Sequence, residues 1–341
     1  MREVRSMGER LLRVREFLTS RLVVRSAFLV FFLFAVWRLL GFTAWARGQG
    51  TYVPRPEAVA GLLPIGHFTS FFAWLKGGGW DTFLPAGLVI ILAALAVSLL
   101  FKRGFCGWIC PLGTVWELAA ALGHRVIGRN LALPRWLDLS GRAIRYGIAA
   151  LLLGWLASVP VAEAVAFRQL PYMWVADIKI IESFGKPLFV AVGLFAFALS
   201  MLFGPVWCRW LCPLGGLYSL VGLASPCAVR RDERTCIHCS KCTEVCHAFV
   251  DVERSSTVRA PECDGCMDCV RSCPVEGCLE ARVLGKVRVQ PWVWAFLVVG
   301  LWLGIYGVAK LTGAWDTTVP LDAFRATINS GLLESRTPGG L

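Results

Sequence analysis

Five long apolar stretches, separated by more polar segments, dominate the pattern of the chain. They cover residues 22–41, 83–101, 143–161, 187–206 and 291–309. A helix of about 20 mainly apolar residues crosses the hydrocarbon core of a bilayer. Arg25 and Arg38 interrupt the first stretch only near its ends, from where long side chains can reach the interface. The pattern therefore predicts an all-α polytopic membrane protein with about five transmembrane helices.

Basic residues concentrate on one side of these stretches. Residues 1–25 hold seven Arg against three Glu, whereas the segment 162–186 holds equal numbers of basic and acidic residues. By the positive-inside rule, the segments expected in the cytoplasm are the N-terminus, 102–142 and 207–290. Those expected outside are 42–82, 162–186 and 310–341. This orientation fits a multi-pass protein of a bacterial cytoplasmic membrane. A cleaved signal peptide is the alternative for the first stretch, but no clear small-residue cleavage site follows it.

The composition agrees with a membrane protein that carries a polar insert. Hydrophobic residues make up 56% of the 341 residues and charged residues 17%, and the mean hydropathy is +0.61. Soluble domains are nearer 45–50% apolar and about 25% charged. The net charge of +12 follows from membrane topology, so it does not indicate a nucleic-acid partner.

One internal repeat is evident. Residues 103–123 match residues 205–225 at a constant offset, and both copies contain a Cys-x3-Cys-Pro motif. Each copy follows an apolar stretch that is expected to run from outside to inside. We therefore expect two parallel pseudo-repeats, which would bring both motifs together at the cytoplasmic boundary of the membrane.

Eight of the fourteen cysteines form two runs between the fourth and fifth apolar stretches. Their Cys-x2-Cys-x2-Cys-x3-Cys spacing is that of bacterial ferredoxins with two [4Fe–4S] clusters, in which the fourth cysteine of each run ligates the other cluster. The first cluster is predicted to bind Cys236, Cys239, Cys242 and Cys273. The second cluster is predicted to bind Cys263, Cys266, Cys269 and Cys246. A structural zinc site would have two separated Cys-x2-Cys pairs, and disulfides are disfavoured in the cytoplasm.

The cysteine runs define the domain organisation. We predict a cytoplasmic basic N-terminus (1–21), a four-helix membrane core (22–225), an inserted 2[4Fe–4S] ferredoxin domain (226–290), a fifth transmembrane helix (291–309) and an external tail (310–341). His247 stands where the first run usually has proline. His238, between two predicted ligands, is interpreted as a surface residue rather than a tuner of the cluster.

The repeat motifs offer four more metal-ligand candidates: Cys106, Cys110, Cys208 and Cys212. A proline after the second cysteine favours a helix start, so Cys110 and Cys212 should be N-caps, where the helix dipole stabilises a thiolate. The four sulfurs could hold a further iron–sulfur cluster, bind copper(I), act as a redox dithiol or simply pack at a helix break. Cys227 and Cys278 have no repeat partner and are interpreted as structural.

These features together resemble the ferredoxin-type membrane proteins of the NapH and MauN kind. That group is related to the polyferredoxin halves of NosR-like and CcoG-like proteins. The resemblance rests on the FCGWICPLG and WCRWLCPLGG repeats, the FTSFFAWLKGGGW stretch at 68–80, the four core helices and the ferredoxin segment, and it covers roughly residues 25–290. It implies respiratory electron transfer, often from quinol to a partner, or a role in maturing a redox enzyme.

The resemblance also raises the question of where a quinone would bind. Quinol oxidation releases protons, so a histidine or carboxylate should lie within hydrogen-bond reach. His67, Asp81, Glu163 and Asp177 are ionisable residues near ends of the apolar stretches on the outer side. His67 is the best single candidate, although an interfacial histidine that anchors its segment is the simpler interpretation.

Three functions remain open at this stage. The first is a membrane-bound iron–sulfur carrier that passes electrons between the quinone pool and a redox partner, as the quinol-dehydrogenase subunit of a complex or otherwise. The second is a maturation factor that uses the repeat cysteines for metal reduction or thiol chemistry. The third is a membrane anchor for another redox subunit, in which the clusters only transfer electrons to or from that subunit. The predicted partners are membrane lipid, quinone and another redox protein, and not nucleic acid.

Overall fold

Helices dominate the computed structural model, which describes residues 20–128, 131 and 133–331. Most of the predicted N-terminal segment 1–21 and the end of the 310–341 tail lie outside the described residues. All five apolar stretches form helices, but several helices begin or end away from the predicted limits. The long helices are α1 (Arg21–Ala46), α3 (Pro85–Leu100), α5 (Arg135–Ser158), α8 (Pro187–Phe203) and α12 (Pro291–Leu311).

Shorter helices fill segments that the hydropathy pattern left as connections. They are α2 (Pro64–Leu75), α4 (Pro111–Ile127), α6 (Val161–Gln169), α7 (Pro171–Phe184), α9 (Pro213–Leu223), α10 (Lys241–Glu244), α11 (Asp268–Ser272) and α13 (Leu321–Asn329). A 3₁₀ turn covers Glu57–Leu62, and two π-helical turns cover Phe105–Ile109 and Trp207–Leu211. Proline at the first position of α7 and α8 starts each helix at no cost in hydrogen bonds.

The number of membrane spans is two to four among the described residues. Helices α1 and α12 are each long and apolar enough to cross a bilayer alone. The pair α5 and α6 is bent by 98° and the pair α7 and α8 by 72°, and each pair adds one span if it is counted as a broken helix. Helix α3 has only 16 residues. The protein is thus a helical membrane protein, but the prediction of five spans is not confirmed.

The chain divides into two compact units, each built from several stretches of the sequence. The first unit comprises the described residues up to Leu29 together with Ala94–Ala150 and Phe195–Leu303. The second comprises Val30–Ala93, Leu151–Leu194 and the described residues from Gly304 onward. All twelve predicted metal-ligand cysteines lie in the first unit, whereas His67, Asp81, Glu163 and Asp177 lie in the second.

A small antiparallel sheet organises the cysteine-rich segment of the first unit. Its strands are β1 (Cys227–Arg231), β2 (Thr257–Val258), β3 (Leu279–Val283) and β4 (Val287–Val289). They lie in the order β2-β1-β3-β4. Val229 pairs with Ala281, so the two ends of the segment are held side by side. The sheet shares one apolar core with Trp108 and Trp294.

Close helix contact in the first unit depends on Gly123, in α4. A Cβ atom there would lie 1.9 Å from the backbone oxygen of Met201, in α8. We expect Gly123→Ala to lower the free energy of unfolding by about 3 kcal/mol, because the backbone cannot yield as a side chain can. Thermal unfolding in detergent, followed by circular dichroism, measures this effect.

The matched control for Gly123 is Gly147, within α5. A Cβ atom at Gly147 meets no other atom within 4 Å, so Gly147→Ala should stabilise its helix by about 0.5–1 kcal/mol. Equal effects of the two variants would contradict the close packing of α4 on α8.

Candidate metal centres

The first predicted group of ligands lines one cavity. Cys236, Cys239, Cys242 and Cys273 are all part of its wall. We call these four residues the first cysteine set. Three come from the first run of the sequence, and Cys273 comes from the second. The structure therefore places the fourth cysteine of the second run beside the first three of the other run.

Both cysteine runs bend in the same way. His238 and Ser240 in the first run, and Gly265 and Met267 in the second, have left-handed backbones with φ between 53° and 65°. They occupy matching positions between successive cysteines. Left-handed residues turn the chain sharply, so each Cys-x2-Cys-x2-Cys segment can curl around a single point. The His238 side chain is exposed beside Glu253, as the surface interpretation predicts.

Hydrogen bonds favour a thiolate at Cys236. The backbone N–H of His238 and the Arg231 guanidinium both lower the pKa of this thiol. Iron binds the deprotonated form of cysteine. The donor set and its surroundings therefore suit an iron–sulfur cluster.

The second predicted group of ligands lies deeper in the same unit. We call Cys246, Cys263, Cys266 and Cys269 the second cysteine set. Burial and the negative charge of neighbouring groups raise the pKa of Cys263 to about 11, and Cys246 is among those groups. Cys269 interacts with Cys263 and Cys246 in the same way. Cys266 is buried and the other three are partly buried, and thiols that lie this close together can lose their protons when they bind a metal.

An ionic network borders the second cysteine set. His247 Nε2 lies 2.7 Å from Asp264 Oδ2, and the side chains of His247, Asp264 and Cys266 bring their ligand atoms within 4.8 Å of one another. The Arg21 guanidinium contacts Glu117 at 2.6 Å and Asp268 at 2.9 Å. His247 thus takes the usual proline position as part of a charged cluster rather than as a turn residue.

The charges of this network stabilise one another. Burial alone would raise the pKa of Asp264, but His247, Arg21 and Arg103 hold it far below its ordinary value. Burial acts in the opposite sense on His247, and Asp264 and Glu117 overcome it to raise the pKa of the imidazole. The contact between His247 and Asp264 therefore favours the charged forms of both side chains.

The repeat motifs build two equivalent helix starts. Each motif forms a π-helical turn, after which Cys110 caps α4 and Cys212 caps α9. The backbone N–H groups of Gly113 and Gly215 donate to these sulfurs at 3.5 and 3.4 Å. The predicted N-cap positions are confirmed, and the two helix dipoles favour negative charge at both sulfurs.

All four cysteines of the motifs line one cavity. We call Cys106, Cys110, Cys208 and Cys212 the repeat cysteines, and this space the repeat cavity. Burial raises the pKa of every repeat cysteine, that of Cys106 to about 12. As free thiols they are therefore neutral at pH 7. The arginines of the wall are Arg25, Arg103, Arg145 and Arg209, and no motif in the sequence links them.

The ionisable residues proposed for quinone chemistry fall into two groups. His67, Asp81 and Asp177 are buried, whereas Glu163 is exposed. His67 is 2% exposed within the second unit. Its Nε2 has no hydrogen-bond partner among the described residues. Asp81 accepts a hydrogen bond from the Ser70 hydroxyl at 2.5 Å and lies within electrostatic range of His67.

Two protein families match parts of the chain. The family described as "4Fe-4S binding domain" matches residues 83–130 and again 186–230, so each match contains one repeat motif. The family described as "4Fe-4S dicluster domain" matches residues 228–274. Both families bind [4Fe–4S] clusters, and their matched ranges together contain the first cysteine set, the second cysteine set and the repeat cysteines.

Individual relatives extend the similarity over most of the chain. YccM of Escherichia coli K12, named as a candidate electron transport protein, is 34% identical over 302 residues and covers 84% of both chains. The ferredoxin-type protein NapH of Haemophilus influenzae is 29% identical over 211 residues, with 60% of this chain and 59% of NapH covered. The regulatory protein NosR of Pseudomonas aeruginosa is 28% identical over 213 residues, which are 61% of this chain and 29% of NosR. No solved structure matches the chain.

Proposed function

Because the chain belongs to the family of ferredoxin-type electron transport proteins that includes NapH and NosR, we propose that it carries electrons between the quinone pool and another redox protein. The observation that carries this proposal is the first cysteine set, in which residues from both runs line one cavity. The interleaved arrangement is that of two-cluster ferredoxins. A zinc ribbon does not show this interleaved arrangement, because the cysteines of each ligand pair are close in sequence.

The ferredoxin segment holds two [4Fe–4S] clusters in this proposal. The first cysteine set binds one, and the second cysteine set binds the other. Cys239 is exposed and Cys242 is buried, so the first cluster has one side open to solvent. The second cluster is bordered by the His247–Asp264 contact, and such neighbouring charges adjust the reduction potential of a cluster.

The protein functions in the cytoplasmic membrane of a bacterium. The excess of basic residues in the cytoplasmic segments supports an orientation with the N-terminus and the ferredoxin segment inside. The partner that exchanges electrons with the first cluster is then a cytoplasmic or membrane-bound redox protein.

His67 and Asp81 are the groups that we propose to exchange protons with a quinol. A buried imidazole nitrogen without a partner can accept a hydrogen bond from a quinol hydroxyl. Asp81 is held in place by Ser70 and by the backbone N–H groups of Phe83 and Leu84. Gly87 packs directly against the imidazole ring of His67 and so restricts its position. A Cβ atom at Gly87 would lie 2.0 Å from that ring.

A potentiometric EPR titration of anaerobic membranes, with and without added quinol, tests this function. We expect quinol to reduce the clusters of the unmodified protein. His67→Asn should slow that reduction at least about tenfold, while dithionite still reduces the clusters fully. His124→Asn, which changes an exposed histidine of α4, is the matched control and should behave like the unmodified protein.

The opposite result would favour the maturation function. Clusters of the unmodified protein that accept electrons only from dithionite would contradict quinol oxidation. The observation that favours the maturation function is the gathering of four cysteines in the repeat cavity, since soft thiolates also bind copper(I). Copper content, measured on the same membranes, separates these outcomes.

A further inference from the structure

An arginine stands on the inward face of the small sheet, where an apolar residue is expected. Side chains alternate between the two faces of a strand, so Arg231 shares its face of β1 with Cys227 and Val229, and both of these are buried in the apolar core of the first unit. Arg230 belongs to the other face and is exposed. The Arg231 side chain is only 7% exposed. A buried cation is costly unless hydrogen bonds and a negative group balance it.

The backbone holds Arg231 in this position from both sides of β1. Its N–H donates to the backbone oxygen of Ser256 at 2.9 Å, and in the sheet it pairs with Leu279 of β3. The next residue, Asp232, donates from its N–H to the backbone oxygen of Cys278 at 2.8 Å. From this fixed strand end, the Arg231 side chain forms part of the cavity wall of the first cysteine set.

Two carboxylates lie near the guanidinium, and neither balances its charge well. The Nη2 group of Arg231 lies 3.5 Å from Glu233, whose side chain is 68% exposed, so solvent screens this contact. Glu253 belongs to the wall of the same cavity and lies within electrostatic range of Arg231. Its carboxylate contacts Ser240 and His238 instead, and it forms no ion pair with the guanidinium. The charge of Arg231 is therefore still available to a negative group inside the cavity.

Two N–H groups of Arg231 lack a hydrogen-bond partner among the described residues. They are Nε and Nη1, and both are buried. The sulfurs that the guanidinium faces are those of Cys236 and Cys278. Cys278, which is not a predicted ligand, donates its S–H to the backbone oxygen of Asp232 at 3.7 Å. A buried donor without an acceptor costs free energy, so the two N–H groups indicate acceptors inside the cavity.

The sulfurs of an iron–sulfur cluster are acceptors of this kind. Hydrogen bonds to these sulfurs and the net charge of the surroundings set the reduction potential of a cluster. Arg231 lines the cavity of the first cysteine set and faces Cys236, one of the predicted ligands. A guanidinium presents its N–H groups in one plane at fixed angles, so Nε and Nη1 can reach neighbouring acceptors at the same time.

We propose that Arg231 sets the midpoint potential of the first cluster: its Nε and Nη1 N–H groups donate to sulfurs of that cluster, and its charge raises the potential. This inference rests on the proposed function, since it concerns the cluster that the first cysteine set binds there. Reduction adds an electron to a centre that four thiolates already make negative, so a neighbouring cation stabilises the reduced form more than the oxidised form. Arg231 thereby favours the electron at the cluster that faces the redox partner.

Midpoint potentials from an EPR titration of the anaerobically purified protein test this inference. The signal of the first cluster is the one that Cys239→Ser removes. Arg231→Met removes the charge and the N–H groups but keeps a long side chain. We expect it to lower the ratio of reduced to oxidised first cluster about tenfold at a fixed potential, which is a decrease of about 59 mV in the midpoint potential. The iron content should not change.

Two further variants separate the position of the charge from the charge itself. Arg230→Met removes a positive charge from the exposed face of the same strand, where solvent and salt screen it, and should leave the midpoint potential unchanged. Arg231→Lys keeps the charge but lacks the planar set of N–H groups. Its midpoint potential should therefore lie between those of the unmodified protein and Arg231→Met.

The possible failures are distinguishable. An unchanged midpoint potential in Arg231→Met and Arg231→Lys would overturn this inference and leave the proposed function intact, and equal shifts in Arg231→Met and Arg230→Met would do the same. If Arg231→Met failed to assemble the first cluster, Arg231→Lys would decide, because a potential equal to that of the unmodified protein would contradict the assigned hydrogen bonds. Clusters that only dithionite reduces, with the shift in Arg231→Met still present, would instead refute quinol oxidation and support the role of Arg231.

Discussion

Cys273→Ser is expected to remove the same cluster as Cys239→Ser, although Cys273 stands in the other cysteine run. Both residues line the cavity of the first cysteine set, so either substitution leaves that cluster one thiolate short. We expect each variant to lose about four iron atoms and to show the same remaining EPR spectrum. Cys266→Ser should remove the other cluster and leave a different spectrum.

The comparison among these three variants identifies the ligands independently of total iron. If the spectrum of Cys273→Ser matched that of Cys266→Ser, each run would bind its own cluster and the interleaved assignment would be wrong. Cys227→Ala serves as the control for a general loss of folding. It should retain both signals, because its side chain packs in the apolar core of the first unit.

Glu117→Gln is expected to lower the free energy of unfolding by about 3 kcal/mol. Glu117 accepts hydrogen bonds from both Arg21 and Arg25, whose side chains are 7% and 5% exposed. Arg21 keeps contacts with Asp268 and Asp264. Arg25 keeps only the Thr114 hydroxyl among its hydrogen-bond partners in the described residues, so its charge becomes uncompensated in a buried position. Thermal unfolding in detergent measures the loss.

A surface ion pair provides the control for Glu117. Glu182 pairs with Arg47 at 2.6 Å, and their side chains are 32% and 41% exposed. Solvent screens such a pair, so Glu182→Gln should cost less than about 1 kcal/mol. Similar losses in the two variants would show that the Arg21–Glu117–Arg25 contacts do not stabilise the fold.

The local features of the metal centres could be predicted from the sequence. The following proline acts over a few residues, so the N-caps at Cys110 and Cys212 follow from short motifs. The same holds for the exposed position of His238. These predictions required no knowledge of distant contacts.

The charged surroundings of the centres could not be predicted in the same way. Arg21 and Glu117 are 96 positions apart, and no local pattern joins them. Arg25 was interpreted as a residue that reaches the membrane interface, because charge near the end of an apolar stretch usually does so. Its buried ion pair depends on the packing of α1 beside α4, which only the fold reveals.

Helices within the 162–186 segment were missed although the sequence contains a signal for them. Pro171 stands at the first position of α7, where proline is favoured. The hydropathy pattern predicted only a connection here, because the segment contains several charged residues. The bend between α7 and α8 makes the number of membrane spans depend on how a broken helix is counted.

The ferredoxin segment is attached to helices at both of its ends by very short junctions. Residues 224–226 separate α9 from β1, and Gln290 alone separates β4 from α12. Junctions of this length are too short to act as flexible linkers for the ferredoxin segment. Under the proposed function, any electron exchange between the segment and the rest of the first unit is therefore a first-order process, whose rate is independent of protein concentration. Only the encounter with the outside partner depends on diffusion.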